Sequence, residues 1–202
     1  MRAIFYYMQE MMPYMLIAIP IYLGIRYYMY TRKNNNEKNI NWYREVALFI
    51  FVIFCIGLAS QTIIPKFEIG MDGKVTIAKD RIHDTNLIPF RVLYETYYEV
   101  FKFGCIDYFI INFLGNVVMF MPIGFCIPLL WNVSKRKVVL IGAGTSLFIE
   151  CTQLFLRRGT DIDDLILNTI GVCIGLVVYI CISKKWSSFT DKFKIKISEG
   201  KK

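Results

Sequence analysis

The sequence predicts an all-α integral membrane protein: about five transmembrane helices, a small outer hairpin and an interfacial amphipathic helix. Three observations lead there. The 202 residues are 55% hydrophobic and their mean hydropathy is +0.43, above an ordinary soluble domain. The apolar residues gather in five blocks, each near the roughly 20 residues that carry a helix across a bilayer. Basic residues collect in alternate connections between those blocks, as they do in multi-pass proteins. The length would admit one or two soluble domains, but no segment reads as one.

The first block is roughly Met11 to Tyr30. Glu10 interrupts its short basic start and no small-x-small cleavage site follows, so it is expected to be a retained span rather than a signal peptide. The second, Val46 to Ile64, is the cleanest. The third, Ile106 to Trp131, is interrupted by Asn112, Asn116 and Pro122. Val138 to Leu156 and Leu165 to Ile182 complete the set. The chain thus divides into two amino-terminal spans (1–64), an outer loop (65–105), a three-span core (106–182) and a basic tail (183–202).

Orientation follows from charge. Arg32, Lys33, Lys38 and Arg44 follow span one, and Lys135, Arg136 and Lys137 follow span three. The tail carries Lys184, Lys185, Lys192, Lys194, Lys196, Lys201 and Lys202. With five spans these regions share a side, which is expected to be cytoplasmic, leaving the amino terminus outside. The net charge of +8 is accounted for by this bias and by anionic lipid headgroups. No nucleic-acid partner is implied.

Within the long loop, "KFEIGMDGKVTIA" alternates apolar residues around Asp72-Gly73, a short β-hairpin signal. In "HDTNLIPF", Pro89 biases Ile88 toward extended backbone. "RVLYETYYEVFKF" places Val92, Leu93, Tyr97, Val100 and Phe101 on one helical side, with Tyr94, Tyr98 and Phe103 nearby. This is the pattern of a helix lying in the outer headgroup layer.

The most informative stretch joins spans four and five: "FIECTQLFLRRGTDIDDLILNTIGVCIG". Glu150 and Gln153 share a helical face. After Gly159, Thr160 or Asp161 can cap the next helix. Asp161, Asp164, Asn168, Gly171 and Gly175 then fall at steps of three, four, three and four, one stripe with an acidic outer end and a glycine inner end. Glycines let a neighbouring helix approach closely. Asn112 and Asn116 offer matching amides on span three. The expected packing brings spans three, four and five together with Glu150 and Gln153 facing Asn116 and Asn168, and Arg158 facing Asp161 or Asp164. A charged group inside a span costs about 2.5 kcal/mol or more, so it normally faces a bundle interior or a cavity and marks a functional site. The bland alternative is that these groups pair only to hold the bundle together.

Three patches in this region carry a resemblance. "NLIPF" (Asn86 to Phe90) resembles N-L-x-P-F, "NVVMFMPIGF" resembles N-x-x-x-F-x-P-x-G, and the junction resembles E-x-x-Q, R-x-x-D-x-x-D and N-x-x-G-x-x-x-G. Order and spacing agree with the VanZ-like family of membrane proteins over roughly Asn86 to Tyr179. The resemblance makes Arg158, rather than Arg157, the motif arginine and leaves Asp163 incidental. It implies a link to low-level tolerance of teicoplanin-type lipoglycopeptides, without a mechanism. The expected binding set is Asn86, Asn116, Glu150, Gln153, Arg158, Asp161, Asp164 and Asn168. Expected partners are membrane lipids and a lipid-linked cell-wall precursor or the drug.

The alternative is a membrane-embedded enzyme acting on a lipid or cell-wall precursor, with Glu150 as general base and Arg158 holding an anionic group. A variant puts a divalent cation on Asp161, Asp164 and Glu150. Against catalysis, the chain has no G-x-S-x-G, H-E-x-x-H or P-loop. His83 is its single histidine, which excludes a multi-histidine metal site, and no cofactor is implied. The six cysteines form no C-x-x-C pair and no disulfide framework. No inverted repeat supports transport.

Overall fold

The computed structural model describes residues 2–32, 40–64, 67–69, 75–77, 85–104, 106, 109–156 and 159–194. Five helices in it are long and apolar enough to cross a membrane: Met8–Thr31, Trp42–Thr62, Phe109–Leu130, Lys135–Phe155 and Ile162–Lys185. The protein is an all-α multi-pass membrane protein, and each span overlaps its expected block.

Helix α1, Arg2–Thr31, contains Pro13 and Pro20. It packs on α2, Trp42–Thr62. Gly57 of α2 lies against Met11 and Met15 of α1. The Tyr22 and Phe49 rings meet edge to face at 5.5 Å. Arg26 and Glu45 form a half-buried ion pair at the end of α1. Most of α1 otherwise faces outward: Leu16, Ile17, Ile21, Leu23 and Ile25 are all exposed. In a bilayer those side chains meet lipid, so they need no protein partner.

The connection between the second and third spans holds the expected hairpin. Strands β1, Phe67–Ile69, and β2, Val75–Ile77, pair antiparallel with Phe67 opposite Ile77 and Ile69 opposite Val75. Its turn, Gly70 to Lys74, lies outside the described residues. Helix α3, Arg91–Phe103, follows and ends on Gly104. At φ +68 that glycine is in the left-handed region, where a residue without Cβ carries no steric penalty. Only Val92 of α3 is buried, while Leu93, Tyr94, Tyr97, Phe101 and Phe103 are exposed.

The third span begins as a π-helical turn, Phe109–Leu114, and continues as α4, Gly115–Leu130, through Pro122 and Pro128. Prolines are tolerated in spans because neighbouring helices and local adjustments satisfy the freed carbonyls. Helices α5, Lys135–Phe155, and α6, Ile162–Lys185, complete the core. A one-turn helix α7, Ser187–Thr190, and a 3-10 turn, Asp191–Phe193, fold back beneath α2.

Helix α6 is the central member, packed closely on α4 and on α5. The seam with α4 is set by glycine. A Cβ on Gly171 would strike the Val117 carbonyl, one on Gly175 the Met121 carbonyl, and one on Gly124 of α4 the Val172 carbonyl. The expected glycine stripe therefore faces span three, and Gly124 joins it from the other side. Around this seam Leu58, Phe120, Ile123, Ile127, Val138, Ile149, Val172 and Leu176 form the main core. A smaller cluster of Val92, Val117 and Leu167 anchors α3. The five described cysteines are free thiols.

Candidate functional site

The polar residues of the α5–α6 junction assemble at the end of the bundle where α2 finishes and α3 lies. Glu150 reaches this end because Ser146, Glu150 and Gln153 recur at helical spacing on α5. Glu150 is only 5% exposed, and its Oε2 accepts the backbone N–H of Asp161 at 3.1 Å. Thr160 Oγ1 donates to the Glu150 carbonyl at 3.4 Å. Asp161 caps α6, accepting the Asp163 N–H at 2.8 Å. One turn into α6, Asp164 accepts a short hydrogen bond from Asn116 Nδ2, which also donates to the Asn112 carbonyl at 3.2 Å. A turn deeper, Asn168 Nδ2 donates to Ser146 Oγ at 2.9 Å. Its Oδ1 is buried and has no partner among the described residues.

The segment before α3 docks directly on this cluster. Asn86 forms a parallel bridge with Asp161: its N–H donates to the Thr160 carbonyl at 2.9 Å and its carbonyl accepts from Ile162 at 3.0 Å. Its side-chain Nδ2 donates to Asp161 Oδ1 at 2.8 Å, and Oδ1 accepts from the Ile88 N–H at 3.1 Å. Burial raises the Asp161 carboxyl above its usual range, opposed by the N–H of Asp163 and the amide of Asn86. On the exposed face of α3, Lys102 Nζ donates to Tyr98 Oη at 3.2 Å and lowers that phenol, while the hydrogen bond with Tyr98 raises Tyr94.

Asn86, Asn116, Glu150, Asp161, Asp164 and Asn168 are thus brought together, but their pairing differs from the expected one. Glu150 meets the α6 cap, Asn116 meets Asp164, and Asn168 meets Ser146. Gln153 turns away from the group: its Nε2 donates to the Thr62 carbonyl at 3.3 Å, closing the end of α2. Helix termini leave carbonyls without intrahelical partners, so this amide has a structural target that helical spacing alone does not show. The expected pairing of Arg158 lies outside the described residues. Among the described residues no group of three or more His, Cys, Asp and Glu is arranged to hold a metal ion.

Two residues escaped the sequence reading. Ser146, fully buried, was recoverable, since it stands four residues before Glu150 on the same face. Asp163, taken as incidental, is the most buried carboxylate of the group at 1% exposure. Its Oδ1 accepts the Phe90 N–H at 2.5 Å and its Oδ2 the Val92 N–H at 2.7 Å. It satisfies the first free amides of α3, and no sequence spacing connects it to them.

The family model described as VanZ/LLP1 matches residues 46–183, a stretch that holds all of these side chains. The chain belongs to the VanZ/LLP1 family. The match takes in the second span and the hairpin as well as the three-span core, so the VanZ/LLP1 region starts well before the three resembling patches. No curated protein and no solved structure matches the chain.

Proposed function

We propose that this VanZ/LLP1 protein confers or modulates low-level tolerance to teicoplanin-type lipoglycopeptides. Its polar cluster would engage a lipid-linked envelope component or the drug itself at the outer leaflet. The observation that carries this reading is the hydrogen-bonded group of buried Asn86, Glu150 and Asn168 and half-buried Asn116, Asp161 and Asp164 beside the exposed aromatic face of α3. Arg158, the motif arginine by resemblance, adds a cation for an anionic group of the ligand. The opposite end of the bundle carries Arg32, Arg44, Lys135, Arg136, Lys137, Lys184 and Lys185, and this basic bias supports a cytoplasmic position for that end and an outer one for the cluster.

The topology has its own test. In a background with the native cysteines removed, a cysteine beside Gly159 reacts with an impermeant thiol reagent in intact cells. One beside Arg136 stays shielded. The reverse pattern would overturn the orientation.

Drug selectivity tests the function. Teicoplanin carries an acyl chain, and each buried CH₂ adds about 0.8 kcal/mol of membrane affinity. A site at headgroup depth meets a membrane-held drug more readily than a soluble one. Expression in a susceptible Gram-positive host should therefore raise tolerance to teicoplanin more than to deacylated teicoplanin or vancomycin. Glu150→Gln should abolish the effect while the protein still accumulates. Equal shifts for all three compounds, or none with well-expressed protein, would reject the reading. Turnover of a labelled precursor by purified protein, lost in Glu150→Gln, would replace it with the catalytic one.

A further inference from the structure

At the basic end of the bundle, the chain folds back after α6 and closes one side of α2. Asn41, the cap of α2, fixes this return: its Nδ2 donates to the Lys192 carbonyl at 2.7 Å and to the Lys194 carbonyl at 3.3 Å. Phe193 is thereby set edge-on to Tyr43 at 6.1 Å and to Phe189 at 5.1 Å. Between the turn and α2 runs an open groove of about 440 Å³, lined by Trp42, Tyr43, Val46, Ala47, Ile50 and Phe193. Five of the six recur on one face of α2. Trp42, Val46 and Ile50 are exposed on a helix that spans the membrane, so the groove opens sideways toward lipid.

The groove wall is apolar, yet its mouth is cationic. Lys192 Nζ sits 5.3 Å from the centre of the Tyr43 ring, and among the described residues no carboxylate pairs with it. The neighbouring acid, Asp191, is taken by Lys194 at 2.9 Å. Arg44 is turned away, donating to the Leu130 carbonyl at 3.2 Å. A ligand that fits needs a long apolar chain and a negative group at headgroup depth.

We infer that this groove binds an anionic glycerophospholipid, with an acyl chain along α2 and the phosphate at Lys192. The volume falls in the range of small-molecule sites, and a basic side chain at a membrane surface favours an anionic headgroup about fivefold. The inference is independent of the proposed function and of which leaflet faces the cytoplasm.

Trp42 supplies the test. The full chain is reconstituted into two vesicle preparations of identical composition, equal parts phosphatidylglycerol and phosphatidylcholine. In one the brominated acyl chains are on phosphatidylglycerol, in the other on phosphatidylcholine, so surface charge is constant. The difference in quenching between the wild type and Trp42→Phe isolates the groove. Brominated phosphatidylglycerol should compete for this position about fivefold better than phosphatidylcholine. Lys192→Gln should bring the two within about twofold, Lys192→Arg should keep the preference, and Ala47→Phe, which fills the groove, should lower quenching by both lipids. Equal quenching in the wild type would overturn the inference, leaving only annular lipid. So would a preference that survives Lys192→Gln, or a dimer of the chain that protects Trp42 from both lipids.

Discussion

Gly175→Val is expected to abolish stable folding of the three-span core. The new Cβ would sit on the Met121 carbonyl of α4, with the carbonyl carbon only 2.9 Å away. Because the obstructing atoms are backbone, no rotamer change relieves the clash and the helices must separate. Overpacking a buried site costs about 1–3 kcal/mol and occasionally more, and the upper end is expected here. Separation at Gly175 would also strain the close approaches at Gly171 and Gly124. Without a hydrophobic driving force between helices in lipid, such close packing is a main source of association. Thermal unfolding of the detergent-purified protein, together with the amount accumulated in the membrane, measures the effect. Gly144→Val is the control, since nothing lies within 4 Å of its Cβ position. Near-wild-type unfolding is expected for it, within about 0.5 kcal/mol. If both variants unfold alike, the α4–α6 seam is misassigned.

Asp163→Ala should release the segment from Asn86 to Phe103 while leaving the spans in place. The carboxylate holds two amides, those of Phe90 and Val92, and each hydrogen bond to a charged group contributes about 1.5–3 kcal/mol. Phe90 adds a second reason. At φ +67 it is the one described non-glycine residue in the left-handed region, a conformation that costs about 1–2 kcal/mol. The Asp163 carboxylate offsets that cost. Once it is removed, amide exchange across α3 should accelerate about a hundredfold, since each 1.4 kcal/mol of opening free energy is tenfold. Asp163→Asn keeps one acceptor and should fall between the two. Adding Phe90→Gly to Asp163→Ala should recover part of the protection, because glycine accepts the positive φ without strain. Unchanged exchange in Asp163→Ala would show that the Val92, Val117 and Leu167 contacts alone dock α3.

Much of this protein was legible in its sequence, because the bilayer imposes one-dimensional rules. A span must be apolar over a fixed length, and that criterion located five spans to within a few residues. Period-2 alternation around Asp72-Gly73 located the hairpin. Helical period located the stripe from Asp161 to Gly175, whose lower end meets α4 as glycine spacing requires. The tertiary structure decided which polar atoms meet, since spacing specifies a face but not the depth or rotation of the neighbouring helix. Gln153 shares a face with Glu150, yet the end of α2 places the Thr62 carbonyl within its reach. Asn168 is matched by Ser146 rather than by Glu150. Asp163 is separated by more than seventy residues from the amides it holds, and its role exists only once the segment from Asn86 has paired with the first turn of α6. Sequence order records which groups are polar, whereas the partner of a buried polar group is a matter of three-dimensional distance.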